Sequence, residues 1–353
     1  VPINEAAIIG CLLGGAVGDA IGLPCEGLSP SRQRRRFGSI EGHRLILGRG
    51  MVSDDTEHAC LNAQALIASA GEADVFRREL ARQLRHWLAS VPPGTGLATL
   101  KACARLGAGV GPERSGVFSA GNGPAMRAAI IGVVYGNDPI KLRELIAVSS
   151  RITHTDPKAE YGAFAIALAA HWSCAREAIE PHEFCRKLQV LLPESASELI
   201  GLVEQAAASA TAGDTTHQFA ESLGLTRGFG GYTYHTVPGV LHAWFRHPDD
   251  YRAAILEIVH CGGDTDSTAA ILGGIVGARV GKIGIPDEWL RGLWEWPRGV
   301  SWMEGVGQRL AAVAASAQPQ RKLPVLWPVV LLRNLIFLTV VLAHGFRRLL
   351  PPY

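Results

Sequence analysis

The chain predicts an all-α fold, a compact bundle of helices, and three observations carry that expectation. Apolar residues recur at i, i+3, i+4 and i+7 over many segments, the spacing of one helix face. No run of alternating β-branched residues bounded by turns stands out. Glycine is frequent, at 41 residues, while aromatics make up only 7%. Small side chains must therefore do much of the packing, which suits helices that approach one another closely. With 353 residues, 48% of them apolar, a sizeable core is easily buried.

Taken in order, the first element is the most distinctive. Gly10, Gly14, Gly18 and Gly22 recur every four residues in an apolar stretch that begins near Ile8, so they share one helix face. Each glycine costs about 1 kcal/mol against alanine in a helix, and a second backbone packed against that face would compensate. The stretch ends at Pro24, with Glu26 on the loop beyond. Val1-Pro2-Ile3-Asn4-Glu5 has no basic leader region, so Asp19 and the glycines read as a mature helix rather than a cleaved signal. The basic run at 32–36 reads as solvated surface.

Ser53 is a natural N-cap, and Asp54 and Asp55 in the first turn suit the helix dipole. Ala59, Cys60, Ala63, Leu66, Ile67 and Ala70 then hold the helical period. Another helix runs over about 75–89 and closes at Pro92-Pro93-Gly94. Residues 107–123 read as loop. Helices follow at about 125–134, 141–150, 159–176, 181–192 and 196–212. Residues 228–239 form a glycine-rich aromatic loop holding Phe229, Tyr232, Tyr234 and His235. After a helix over 251–259, Cys261-Gly262-Gly263-Asp264-Thr265-Asp266-Ser267 leads into an Ala- and Gly-rich helix over 268–280.

The end of the chain differs. Residues 311–320 read as helix end and linker, and 323–346 are strongly apolar but broken by Pro328, Arg333 and Asn334. A spanning helix needs about 20 apolar residues. A central Arg costs about 3 kcal/mol on insertion scales, against roughly 0.3 to 0.6 gained per Leu, Ile, Phe or Val. Both a membrane-associated tail and a packed helix or dimer contact stay open. Arg321, Lys322, Arg347 and Arg348 flank both ends, so charge sets no orientation.

Composition also excludes some classes. A formal charge of +2 gives no reason to expect a nucleic-acid partner. The seven cysteines are odd in number and scattered, with no Cys-x-x-Cys pair. They read as reduced thiols of a cytoplasmic protein, not as a disulfide framework or a zinc site.

Chemistry concentrates in two acidic clusters. Ser53-Asp54-Asp55 offers a hydroxyl and two carboxylates, and Asp264-x-Asp266-Ser267 offers two carboxylates and a hydroxyl. All are hard oxygen ligands without His or Cys, which suits Mg²⁺ or Mn²⁺ rather than zinc. Four converging carboxylates repel unless cations neutralise them, and two divalent ions match four charges.

Ser53-Asp54-Asp55-Thr56 and Gly262-Gly263-Asp264-Thr265-Asp266-Ser267 resemble the two metal-binding signatures of the ADP-ribosylglycohydrolase family, the ADP-ribosyl-acceptor hydrolases that include dinitrogenase reductase-activating glycohydrolases. Three further segments fall in that family's order. Gly14-Gly15-Ala16-Val17-Gly18-Asp19-Ala20-Ile21-Gly22 is similar to its first helix. Gly121-Asn122-Gly123-Pro124-Ala125-Met126-Arg127 is similar to its phosphate-cradling loop, and Thr153-His154-Thr155-Asp156-Pro157 to its central histidine motif.

The resemblance implies an orthogonal helical bundle over 1–318, with the apolar tail over 319–353 outside it. It implies two divalent cations, Mg²⁺ or Mn²⁺, held by Ser53, Asp54, Asp55, Asp264, Asp266 and Ser267. Glu26, Asp55 and Asp264 would assist proton transfer. Gly121, Asn122, Gly123 and His154 would bind substrate, with backbone N–H groups ahead of a helix suited to the diphosphate. Pro124 and Ala120 depart from a glycine and an aromatic of some relatives, so adenine stacking falls to Tyr232 or Phe229. Asp19 is expected to brace the first helix or the surroundings of the metals, and Asp156 to cap a helix. The implied partner is an ADP-ribosylated protein or other ADP-ribose conjugate, whose N- or O-glycosidic bond is hydrolysed. Two rivals remain: a non-catalytic ADP-ribose or nucleotide sensor, and a purely structural protein. Both predict erosion of the acids, which are all present. The tail leaves open a membrane contact through 323–346.

Overall fold

Helix follows helix along the chain. The computed structural model describes residues 4–175 and 178–348, so Val1-Pro2-Ile3 and the expected helix end at Arg176 lie outside the described residues. The first half comprises α1 (Glu5–Gly22), α2 (Pro30–Phe37), α3 (Asp54–Ser69), α4 (Ala73–Ala89), α5 (Leu97–Gly107), α6 (Ala129–Tyr135), α7 (Pro139–Arg151) and α8 (Pro157–Ser173). The second comprises α9 (Pro181–Leu191), α10 (Ser197–Ala212), α11 (Thr216–Ser222), α12 (Thr233–Arg246), α13 (Tyr251–His260), α14 (Thr265–Gly284), α15 (Asp287–Gly292), α16 (Val300–Ser316) and α17 (Trp327–Arg347). Among the described residues only isolated β-bridges occur and no sheet forms. The all-α expectation holds.

The four-residue glycine spacing sets the centre of the molecule. A Cβ on Gly10, Gly14, Gly18 or Gly22 would collide with the backbone carbonyl of Gly277, Gly273, Ala269 or Thr265 respectively. Helices α1 and α14 therefore lie backbone against backbone for their whole shared length. Dispersion contacts along that seam offset the helix-propensity cost of the glycines. The seam also has a functional end. Gly22 meets Thr265, the first residue of α14, so the glycines fix how far Glu26, just past α1, stands from Asp264.

Several elements differ from the sequence reading. The loop expected over 228–239 ends early, because α12 begins at Thr233 and carries Pro238 and Gly239 inside it. The segment expected as helix over 125–134 is a 3₁₀ turn, Ala125–Arg127, followed by α6. The basic run at 32–36 lies on a short helix, α2, started by Pro30 and capped by Ser29. Helices α5, α11, α15 and most of α16 carried no period strong enough to be read.

Helix α17 lies along the body of the protein. Arg333 and Glu295 form an ion pair at 2.6 Å with side chains only 2% and 3% exposed. Arg333 also donates to the Val52 carbonyl at 2.6 Å, and Asn334 donates to Ser90 O and Oγ at 2.8 and 3.0 Å. Phe337 closes a small apolar cluster with Leu23, Leu45 and Met51. The polar residues that interrupt the apolar tail thus face the protein. By length and composition both the Glu5–Cys25 segment and α17 are apolar enough to cross a membrane, but the first is mostly core.

Candidate active site

The start of α3 is held by a buried carboxylate from α1. Asp19, fully buried, accepts the Ser53 N–H at 2.9 and 3.0 Å, the Thr56 N–H at 3.2 Å and the Thr56 hydroxyl at 2.5 Å. It satisfies helix-start donors that otherwise have no partner. The Ser53 hydroxyl accepts the Asp55 N–H at 3.2 Å and donates to Asp55 Oδ2 at 2.9 Å. Asp19 braces the acidic turn, as expected.

The start of α14 is held by backbone. Gly262 and Gly263 have φ of +76° and +85°, and a Cβ on Gly263 would collide with the Phe229 carbonyl. Only glycine fits both demands. Gly263 N–H donates to Leu28 O at 3.0 Å, Gly27 N–H to Gly263 O at 2.7 Å, and Asp264 N–H to Phe229 O at 2.7 Å. Three loops are thereby stitched together under Asp264.

These starts bring the acids into one cavity of ≈ 320 Å³, lined by Glu26, Asp54, Asp55, Asp264, Asp266 and Ser267 among others. Ser267 Oγ donates to Asp55 Oδ2 at 3.2 Å, joining clusters 212 residues apart. Carboxylate oxygens of Glu26, Asp264 and Asp266 lie within 4.8 Å of one another. Asn122 Nδ2 orients Asp264 with a 2.7 Å bond to Oδ2. No Lys or Arg is among the described residues lining the cavity.

Such crowding has an electrostatic cost. Burial, then the neighbouring carboxylates, push Asp54, Asp55 and Asp266 well above the usual carboxylate range. Burial also raises Asp19 to about 7, against the opposing hydrogen bonds from Thr56 and Ser53. Glu26 reaches solvent at the rim, yet its surroundings and Asp264 raise it too. Asp55 Oδ1 and Asp266 Oδ1 are buried without any hydrogen-bond partner. Unpaired lone pairs on hard oxygens, with excess negative charge and no side-chain cation among them, fit divalent ions of the Mg²⁺ type. Ser53 is not among the lining residues, and its hydroxyl is bonded to Asp55.

The glycine-rich loop meets the site edge-on. The ring of His154 lies against Gly121 and Gly123, where an added Cβ would stand 3.1 Å from Nε2 and 2.8 Å from Cε1 respectively. His154, Gly121, Asn122 and Gly123 all line the cavity. Burial, then the nearby Arg127, lower His154 to about 3, so it is neutral at physiological pH. The backbone cradle differs from expectation. Asn122 N–H is taken by Gly231 O at 2.9 Å and Gly121 N–H by Ser119 Oγ at 3.3 Å. Asn122 instead offers its side chain.

The aromatic candidates lie elsewhere. Phe229 is fully buried, packed beneath Gly239, and supplies only its carbonyl to Asp264. The Tyr232 hydroxyl accepts from Lys158 Nζ at 3.0 Å, and the ring is not among the described groups lining the cavity.

Two contributors escaped the sequence reading. Arg127, 1% exposed, donates to Thr153 Oγ1, His58 Nδ1 and both oxygens of Ser149, holding the histidine segment to α3. Leu97, Ala98 and Thr99, at the start of α5, form one wall of the cavity. Arg127 could have been noticed as the one charge in an apolar stretch; the α5 wall left no chemical signal. A larger cavity of ≈ 560 Å³ beneath the linker to α17 is lined by Trp87, Trp302 and Trp327. Its one acid, Glu79, is already paired with Lys322 and Arg82. The chemistry belongs to the smaller cavity.

Comparison with known proteins gives consistent matches. Residues 2–320 match the family model of the ADP-ribosylglycohydrolases. An uncharacterised protein of Archaeoglobus fulgidus is 33% identical, over 80% of this chain and 90% of the relative. The ADP-ribosyl-[dinitrogen reductase] glycohydrolase of Rhodospirillum rubrum is 27% identical, over 81% of this chain and 89% of its own. A solved structure titled ADP-ribosylglycohydrolase-related protein complex superposes with a TM-score of 0.60 at 25% identity, covering 88% of this chain and 98% of that one.

Proposed function

The chain belongs to the ADP-ribosylglycohydrolase family, and from that premise we propose that it hydrolyses the N- or O-glycosidic bond joining ADP-ribose to an acceptor, using two divalent cations. Family and relatives support ADP-ribose hydrolase activity on protein or other acceptors. The observation that carries the finer reading is a cavity with five carboxylates, no lining Lys or Arg, and buried, unpartnered oxygens on Asp55 and Asp266.

Ser53, Asp54, Asp55, Asp264, Asp266 and Ser267 would hold the ions. Mg²⁺ or Mn²⁺ there would supply charge neutralisation and Lewis-acid polarisation of sugar hydroxyls. The protein side chains then have separable tasks. Asp55 and Asp266 present buried, unpartnered oxygens at the cavity, where they would hold the ions. Asn122, tied to Asp264, keeps that carboxylate in one orientation. Neutral His154 offers a hydrogen bond to ribose or phosphate without adding a charge. Glu26 is exposed at the rim, where the leaving group would meet solvent. Its raised proton affinity suits proton transfer as the bond breaks through an oxocarbenium-like transition state.

The test is release of ADP-ribose from ADP-ribosyl-arginine and ADP-ribosyl-serine peptides, with Mg²⁺ or Mn²⁺ and with chelator. We expect release from at least one substrate class, lost on chelation. Calorimetric binding of ADP-ribose with no release from any conjugate would replace hydrolysis with the sensor reading.

A further inference from the structure

We propose that the outward face of α17, with the arginine cluster at its C-terminal end, docks this protein on an anionic lipid surface without spanning it. The face is an apolar stripe with Thr339 within it, its hydroxyl turned back onto the Leu335 carbonyl. Leu332, Leu335, Ile336, Leu342 and Phe346 succeed one another at mostly helical steps and are 54%, 48%, 38%, 51% and 68% exposed. Between Trp327 and Phe346 no exposed residue is charged. The helix is 21 residues long, the stripe from Leu332 to Phe346 covers about 21 Å of it, and contiguous exposed apolar surface of that extent marks an interaction site.

The opposite face shows why the helix lies on a bilayer rather than through it. Arg333 and Asn334 are buried against the protein, paired with Glu295 and Ser90. A spanning α17 would strand Glu295 without its cation. The family match ends at residue 320, so α17 lies beyond the segment shared with that family.

Charge decides the partner. Arg36 on α2 lies within electrostatic range of Arg32, Arg347 and Arg348, four like charges at one end of the stripe. Helix α17 carries no Asp or Glu to pair with them, although Arg348 lies within electrostatic range of the Glu26 carboxylate. An apolar stripe with a basic end matches acyl chains and anionic headgroups together. A second copy of the chain would offer the stripe its match but bring the arginines no counter-charge from α17. Arg348 donates to the Pro24 and Glu26 carbonyls at 3.0 and 2.8 Å, so the basic end adjoins the rim of the cavity. The lipid-facing edge and the entrance to the site are neighbours.

The experiment is flotation of the intact 353-residue chain with phosphatidylcholine vesicles, with or without phosphatidylglycerol, and reads no catalytic activity. We expect flotation only with phosphatidylglycerol, reversed by high salt. Leu335→Gln, Ile336→Gln and Phe346→Gln together should weaken partitioning on the order of a hundredfold. Arg36→Gln and Arg347→Gln should each weaken it roughly fivefold. The lipid and salt dependence of the unaltered protein needs no variant, so misfolding cannot mask the result. The proposal is overturned by equal binding to both vesicles, by absence of binding, or by retention after salt and carbonate washing, which would mean a spanning helix. It is also overturned by a dimer that fails to float and that the apolar triple variant converts to monomer.

Discussion

At the junction with α17, a buried carboxylate meets its own cation: Glu295 and Arg333 at 2.6 Å. At the starts of α3 and α14, the first of them just after Val52, it does not. Burial raises Glu295 and Arg333 opposes that rise; burial alone would pull the Arg333 guanidinium down, but the Glu295 carboxylate outweighs it and holds Arg333 above its ordinary value. In the cavity, burial and then neighbouring carboxylates drive Asp54, Asp55 and Asp266 up. The two regions touch, since Val52 donates to Glu295 and accepts from Arg333 while Ser53, next in sequence, begins the acidic turn. Charge completed within the chain holds structure; charge left incomplete is where we propose that a cation completes it.

The sharpest way to break this comparison is to neutralise one of the uncompensated acids. Asp264→Asn should lower kcat/KM on the order of a thousandfold or more, the several kcal/mol expected of a metal ligand. A variant retaining full ADP-ribose release would remove Asp264 from the donor set. At the completed pair the cost should fall on stability instead. Glu295→Ala leaves Arg333 buried and unpaired, and denaturant unfolding should show a loss of about 3–5 kcal/mol. Replacing both, Glu295→Leu with Arg333→Met, should recover most of that loss. Failure to recover would mean that the contacts to Val52 matter more than the pair.

The glycine seam links the two regions and is the next test. Gly18→Ala drives a Cβ into the Ala269 carbonyl, and overpacking of this kind costs about 1–3 kcal/mol. Unchanged thermal stability would mean that α1 and α14 can separate more easily than their contact implies.

This seam was legible in the sequence because four glycines at one helical spacing weaken a helix unless a second backbone packs against them. So were the two acidic turns, since a Ser-Asp-Asp helix start and a Gly-Gly-Asp entry leave a chemical pattern. The loop-to-helix boundary at Thr233 was not. Pro238 and Gly239 usually end helices, and only the packing of α12 against α10 and α14 overrides them. The Arg333–Glu295 pair was also invisible: partners 38 residues apart carry no local period, and a lone Arg in an apolar run reads as an interruption. The glycine-rich loop was read for backbone donors, but bonds from residues 121 and 122 to Ser119 and Gly231 had already claimed two of them.

The remaining expected effect is on pH dependence, and the two kinds of carboxylate should differ in sign. Asp19, at about 7, stabilises the metal-free protein fully below the ordinary carboxylate range. That contribution is lost as pH rises through about 7. Glu257 behaves oppositely. Burial would raise it, but His247 and Thr216 pull it down to about 2, so its contribution is present above the ordinary range and lost as pH falls toward 2. Thermal melts of chelator-treated protein should therefore weaken toward neutral pH, and saturating Mg²⁺ should flatten that decline. A melting temperature that rises from pH 5 to pH 7 without metal would contradict the first sign.

Calorimetric titration of Mn²⁺ into chelator-stripped protein tests the acidic cavity most directly, with Asp55→Asn/Asp266→Asn as the comparison. We expect saturable binding of two ions per chain, abolished in the double variant while its helical circular dichroism is retained. No binding to the unaltered protein, or equal binding to both, would mean that these carboxylates are not completed by divalent cations.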